Sequence, residues 1–190
     1  MNREQKMDLF RYEGRGASRW RTKCKYLLFL PPYRYIYYLR RYQAFSSHIV
    51  RFLYAALMRI NSYKTHIQIP PETSIGSGLY ISHWGRIIIN QKARIGRNLN
   101  ISAGVLIGSA QGKMKGVPVI GDNVVIGANA CIIGNCHIGN DVLIAPGAFV
   151  NFDVPDNSIV IGNPGRIIQK DESPTKKYIV YPVDLFRDDS

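Results

Sequence analysis

The chain has 190 residues, of which 46% are apolar and 20% charged, with a net charge of +12; this excludes a disordered polyelectrolyte and leaves one main domain with an appendage as the expectation. Its apolar runs, such as Tyr26 to Leu30, fall far short of the roughly 20 residues of a membrane span, and no apolar run follows Met1-Asn-Arg-Glu-Gln-Lys6 to form a secretion signal. Three cysteines, Cys24, Cys131 and Cys136, argue against a disulfide framework and make the cytoplasm the expected compartment.

In chain order, the first unit is a basic, aromatic-rich helical segment, residues 1–66. It holds 14 Lys/Arg against Glu4, Asp8 and Glu13, a net of +11, with nine of the twelve tyrosines, whereas residues 67–190 carry 11 Lys/Arg against 10 acids. Residues 32–44 read as one helix behind Pro31-Pro32, since proline is tolerated in a first turn. Ser46 or Ser47 is placed to cap a second helix, in which Ile49, Phe52, Leu53, Ala56, Leu57 and Ile60 lie on one face. That face is expected to cover the open edge of the element that follows, or to pack one oligomer on another. No RNA- or DNA-binding motif accompanies the cations, so no nucleic acid partner is expected. Peripheral contact with an anionic membrane at the inner face fits better, because Tyr33-Arg-Tyr-Ile-Tyr-Tyr-Leu-Arg-Arg-Tyr42 mixes arginine with aromatics as interfacial helices do. An intersubunit cap with solvated charges is the plainer alternative.

The second unit, residues 67–168, is a repeat. An aliphatic residue returns every six positions: Ile69, Ile75, Ile81, then Ile89, Ile95, Ile101, Ile107, then Ile120, Ile126, Ile132, Ile138, Ile144, Val150. A helix of 3.6 residues per turn would smear such a series around its surface. A triangular coil of about 18 residues fits, with three short strands per turn, one aliphatic pointing inward from each, and Gly or Asn at corners that need positive φ. Roughly five coils at strand spacing make a prism about 25 Å tall.

The repeat is interrupted twice, and repeat proteins tend to carry function where insertions leave the stack. Ile81 to Ile89 is eight residues, with the two extra residues falling around Ser82-His83-Trp84-Gly85; Ile107 to Ile120 is thirteen, and residues 108–119 read as an extruded loop. Cys131 and Cys136 stand five apart with only His137 beside them, so no metal site is expected and both read as buried small hydrophobes. His137, next to an inward aliphatic, faces out, and His48 and His66 belong to the basic segment. Residues 169–190 form a polar C-terminal tail in which Tyr178-Ile-Val-Tyr181 is either a short strand or part of a disordered end.

Three blocks carry a resemblance: Ile75-Gly-Ser-Gly-Leu-Tyr-Ile-Ser-His83-Trp-Gly-Arg-Ile-Ile-Ile89, Ile120-Gly-Asp-Asn-Val-Val-Ile126-Gly-Ala, and Val160-Ile-Gly-Asn-Pro-Gly-Arg166. Here the sequence resembles the hexapeptide-repeat acyltransferases, which form left-handed parallel β-helices. It is most similar to the serine acetyltransferase branch and its relatives in bacterial polysaccharide clusters. The resemblance implies an acetyl-CoA-dependent O-acetyltransferase, assembled as a homotrimer or a dimer of trimers, without metal.

By that resemblance His83 is the general base that takes the proton of an attacking hydroxyl, a task suited to imidazole near neutrality. A base needs an orienting acceptor on its other nitrogen. The family's aspartate fifteen residues earlier is matched here by Gln68, and Glu72 is the nearest carboxylate in sequence. Coenzyme A would lie in a groove between neighbouring prisms, beside the small residues Ala103, Gly104, Ala128 and Ala145. Lys113, Lys115, Arg166 and Lys170 are the candidate phosphate partners, and Ser82, Trp84 and Arg86 the candidate acceptor contacts.

The sequence departs from the serine pattern. Ser82 stands where serine users have Asp, Gly116-Val117-Pro118 replaces Arg-His-Pro, and no Arg-Asp-Pro occurs. These departures point to a neutral acceptor, a sugar hydroxyl of a cell-surface polysaccharide such as capsule, exopolysaccharide or O-antigen, or of its precursor. Serine O-acetyltransferase is the alternative within the class. A non-catalytic β-helix scaffold is the alternative outside it, disfavoured by the retention of His83 in its motif.

Overall fold

The computed structural model describes residues 2–186. Helix α1 spans Arg3–Glu13, α2 Trp20–Phe29, α3 Pro31–Ala44 and α4 His48–Thr65. A capping box starts α1: the Asn2 side chain accepts from Gln5 N at 2.9 Å, and the Gln5 side chain accepts from Asn2 N at 3.0 Å. Ser47 stands at the N-cap of α4 without a side-chain cap bond. His66, in the left-handed region at φ 56°, ends α4 and turns the chain into the first strand.

The strands follow as coils. The first holds β1 (Ile67–Gln68), β2 (Ser74–Ile75) and β3 (Tyr80–Ile81), and the second β4 (Ile87–Ile89), β5 (Arg94–Ile95) and β6 (Asn100–Ile101). The third holds β7 (Leu106–Gly108), β8 (Val119–Ile120) and β9 (Val125–Ile126), and the fourth β10 (Cys131–Ile133), β11 (His137–Ile138) and β12 (Leu143–Ile144). The fifth holds β13 (Phe149–Val150), a bridge at Val154 to Ile138, and β14 (Ser158–Ile161), against which β15 (Arg166–Gln169) folds back antiparallel. Each strand pairs in parallel with its equivalents in the adjoining coils, giving three faces: β1-β4-β7-β10-β13, β2-β5-β8-β11, and β3-β6-β9-β12-β14.

All thirteen aliphatics of the six-residue series are buried, and they form one core with the small residues between them, such as Ala93, Ala130 and Cys136. Burial also pushes the Cys136 thiol up to about 11. The corners between the second and third faces are built from Gly78, Asn98, Asn123, Asp141 and Asn157, all at positive φ. Glycine adopts that region freely, and Asn and Asp tolerate it best among residues bearing a Cβ.

The apolar stripe of α4 does not cover the first coil. Ile49, Phe52, Leu53 and Ile60 are exposed, Ile49 at 83%. The reason lies in the neighbouring helix: Tyr35, Ile36 and Leu39 of α3, with Met58 from the opposite side of α4, fill the open end and join the coil core. The Tyr35 hydroxyl donates to Ile69 O at 3.0 Å and accepts from Ile69 N at 3.1 Å, supplying the partner that a further strand would have provided.

Two buried arginines fasten the helices to the prism. Arg40, 1% exposed, donates through Nε to Asp8 at 2.8 Å, through Nη1 to Ile75 O at 2.7 Å and through Nη2 to Gly76 O at 2.6 Å. Burial alone would lower the Arg40 pKa, but the adjoining Asp8 carboxylate more than offsets this and the value is raised. The same carboxylate accepts from Gly78 N and Leu79 N. Arg11 donates to Gly78 O, to Tyr181 O and to the Asn100 side chain, and burial pushes it down to about 10, so it stays charged at neutral pH.

The tail is neither strand nor free end. After β15 it runs as an irregular strap along the corners between the second and third faces, back towards α1. Ser173 Oγ donates to Asp141 at 2.7 Å, Tyr178 O accepts from the Asn100 amide at 3.0 Å, and Val183 N donates to Asn98 Oδ1 at 2.8 Å. Phe10 then meets Tyr181 and Phe186 edge to face. Residues 187–190 lie outside the described residues.

Candidate active site

The insertion around His83 falls at the corner from the third face to the first, between β3 and β4. Repeat geometry places the equivalent corners of later coils above it, and these carry Ala103-Gly104, Ala128-Asn129 and Ala145-Pro146-Gly147. Hydrogen bonds fix the stack: Asn129 N donates to Ala103 O at 2.9 Å and Gly147 N to Ala128 O at 2.8 Å. Gly85 sits beneath Ala103 so closely that an added Cβ would lie 3.0 Å from the Ala103 methyl. Gly104, at φ +80°, packs its Cα on the Asn129 side chain. His83 therefore stands at the lower end of a column of small residues along one corner of the prism.

His83 and Trp84 are exposed, Trp84 at 49%, and no described residue hydrogen-bonds the His83 imidazole. Glu72 is committed elsewhere, accepting from the Tyr42 hydroxyl at 2.6 Å. Gln68 lies on β1 at the wall of a cavity of about 460 Å³ shared with Tyr35, Met58, Ile88 and Asn90. Within one protomer, neither candidate orients the histidine. Ser82 pairs with Ser102, its equivalent one coil later, with 3.0 Å between the hydroxyl oxygens. Sequence reasoning did not single out Ser102; aligning the two coils across the two-residue insertion would have found it. Arg86 is exposed three residues after His83, just before β4.

The cations divide by corner. Arg166 opens β15 directly after the turn at residues 162–165, at the far end of the small-residue column. Lys170 is not part of that group: its N–H donates to Asn157 O at the corner between the second and third faces. Lys113 and Lys115 are exposed on the extruded loop, which contains a short 3₁₀ turn at Gly112–Met114 and is pinned by an antiparallel bridge between Ala110 and Gly116. That loop leaves the corner from the first face to the second, so the whole first face separates it from His83 in the same protomer. Gly165, where the family motif has alanine, approaches Phe149 O too closely for a Cβ. No group of three His, Cys, Asp or Glu among the described residues is placed to hold a metal.

Comparison with known proteins fits this architecture. Residues 118–151 match the family described as bacterial transferase hexapeptide (six repeats). The serine acetyltransferase of Helicobacter pylori strain 26695 is 34% identical over 153 residues, 80% of this chain and 89% of that protein. The chain belongs to the hexapeptide-repeat transferases. As a member, it is an acyltransferase. The crystal structure of serine acetyltransferase from Brucella abortus superposes with a TM-score of 0.74 at 27% identity, covering 90% of this chain and 69% of that one. The same enzyme in complex with coenzyme A gives 0.71 at 28% identity, over 89% and 67%.

Proposed function

We propose that the chain is an acetyl-CoA-dependent O-acetyltransferase in which His83 is the general base. One observation carries this reading: the insertion presents an exposed imidazole at the foot of a column whose small residues leave room for a long, thin ligand. A neutral His83 takes the proton of the acceptor hydroxyl as its oxygen attacks the thioester carbonyl, and returns that proton to the leaving thiolate. The backbone along Ala103, Gly104, Ala128 and Ala145 lies open to pantetheine, with Arg166 at the far end for phosphate. Lys113 and Lys115 reach a site of this kind only from a neighbouring protomer, which supports a left-handed β-helical trimer with composite sites. The orienting acceptor for His83 is sought in that neighbour as well.

For the acceptor, the relatives support free serine over a polysaccharide hydroxyl, since those compared are serine acetyltransferases, and serine is the acceptor we assign first. A second reading, a sugar hydroxyl, is favoured by one local observation: beside His83 stands a neutral Ser82–Ser102 pair, and the loop offers Gly116 and Val117 where a zwitterion needs charge. A missing charged partner costs about 1.5–3 kcal/mol per bond, so two missing partners correspond to roughly a hundredfold or more in turnover. Coenzyme A release measured side by side with serine and with candidate glycans decides between them. Efficient serine turnover fixes the first reading, and release driven only by glycan the second. In either case His83→Gln lowers turnover by about 10²–10⁴-fold, and a variant within threefold of wild type removes His83 from the role of base.

A further inference from the structure

From Gly14 to Pro71 the chain holds eleven Lys/Arg and no Asp or Glu. Within this stretch α2 has no buried residue at all, and its Trp20, Leu28 and Phe29 are 70%, 66% and 77% exposed. Helix α4 adds the uncovered stripe that begins with Ile49 and Phe52 and ends at Ile60. The C-terminal end of α4 lies against the start of α3, the neighbour of α2 in the chain, where the Asn61 side chain donates to Pro31 O at 3.0 Å. Arg19, Arg21, Lys25, Arg59 and Lys64 are exposed among these side chains. We propose that α2 and α4 form a docking surface for an anionic lipid bilayer, with the aromatic and aliphatic tips entering the headgroup boundary and the arginines and lysines on lipid phosphates.

The charge selects this occupant over a second copy. Two such faces meeting each other would oppose cations to cations, since the acids at their margins, Glu13 and Glu72, are already bonded to Tyr26 and Tyr42, and contact distance leaves that repulsion poorly screened. Nucleic acid would satisfy the cations but leave Trp20, Phe29 and Phe52 in water. An anionic bilayer satisfies both, by the combination of buried apolar area and electrostatic attraction that holds interfacial helices. No helix among the described residues is long and apolar enough to cross a membrane, so the contact is peripheral. This inference does not depend on the acceptor, and its test uses no activity readout.

The test is co-sedimentation of full-length protein with neutral phosphatidylcholine vesicles and with vesicles carrying about 30% phosphatidylglycerol, at low and high salt. Pelleting is expected with the anionic vesicles only, and it should be lost at about 0.5 M salt, where the Debye length shrinks to a few ångströms. Arg21→Gln and Lys25→Gln, on a helix with nothing buried, each weaken binding about fivefold. Phe29→Ser and Phe52→Ser each weaken it about tenfold. Sedimentation velocity and thermal unfolding without lipid should match the wild type in all four. Absence of pelleting with anionic vesicles at low salt overturns the proposal, as does equal pelleting with neutral ones. Collapse of the serine variants to a smaller oligomer also overturns it and assigns the face to contact between copies.

Discussion

Arg40→Met tests whether one buried guanidinium holds the helices on the prism. The substitution keeps much of the side-chain volume and removes the donors to Asp8, Ile75 O and Gly76 O. Asp8 is then left charged and fully buried with only the N–H groups of Gly78 and Leu79. Removing one partner of a buried pair costs about 3–5 kcal/mol, and the two remaining amide donors hold the cost near the lower end. For a chain of this size about 3 kcal/mol lowers Tm by about 6–12 °C. Thermal unfolding by circular dichroism at fixed protein concentration reads the shift. Adding Asp8→Asn removes the stranded charge while keeping an acceptor for Gly78 N and Leu79 N, and should recover at least half of the loss. If Arg40→Met melts within about 2 °C of wild type, or if the second substitution recovers nothing, the pair does not anchor the helices.

Three further expectations follow from the coil. At pH 8 a thiol reagent should label the exposed Cys24 and spare Cys136: with the thiol pushed up to about 11 by burial, about one molecule in a thousand is thiolate, and peptide mapping of the native protein checks the difference. Gly104→Ala forces a Cβ at φ +80° onto the Asn129 side chain; it should destabilise by about 1–3 kcal/mol in urea titration, and an unchanged midpoint would mean the column is not close-packed there. Asn98→Ala removes both the acceptor for Val183 N and the donor to Asn123 Oδ1, and the tail should become the first site of limited proteolysis; a cleavage pattern like wild type would show that the strap does not depend on it.

The coil was legible because its signal is repeated: thirteen inward aliphatics keep the six-residue spacing in three blocks on either side of two insertions, so errors at single positions cancel. The helical segment was only half legible. Helix α3 declares itself through Pro31-Pro32, whereas α1 rests on an Asn2–Gln5 cap and on partners far away in sequence, such as Gly78 and Tyr181. The stripe of α4 was misplaced for a physical reason. Periodicity finds an apolar face but not what it touches, and the first coil was already covered by Tyr35, Ile36 and Leu39. At the site, the position of His83 on an insertion was readable. That Lys113 and Lys115 lie across the first face from it, and that Lys170 sits on another corner, depends on which strand belongs to which face.

A stack of coils contacts only its neighbours, so by itself it can fray from either end, one coil at a time. The returning tail changes that connectivity. Residues near 180 are bonded to Arg11, whose helix in turn holds the first coil, while residues near 173 are bonded to the fourth. The two ends of the chain thus close on each other across almost its full length, and losing either end coil strains contacts at the opposite one. Peeling becomes expensive and unfolding approaches all-or-none, at the cost of a folding step that must wait for contacts of very high sequence separation.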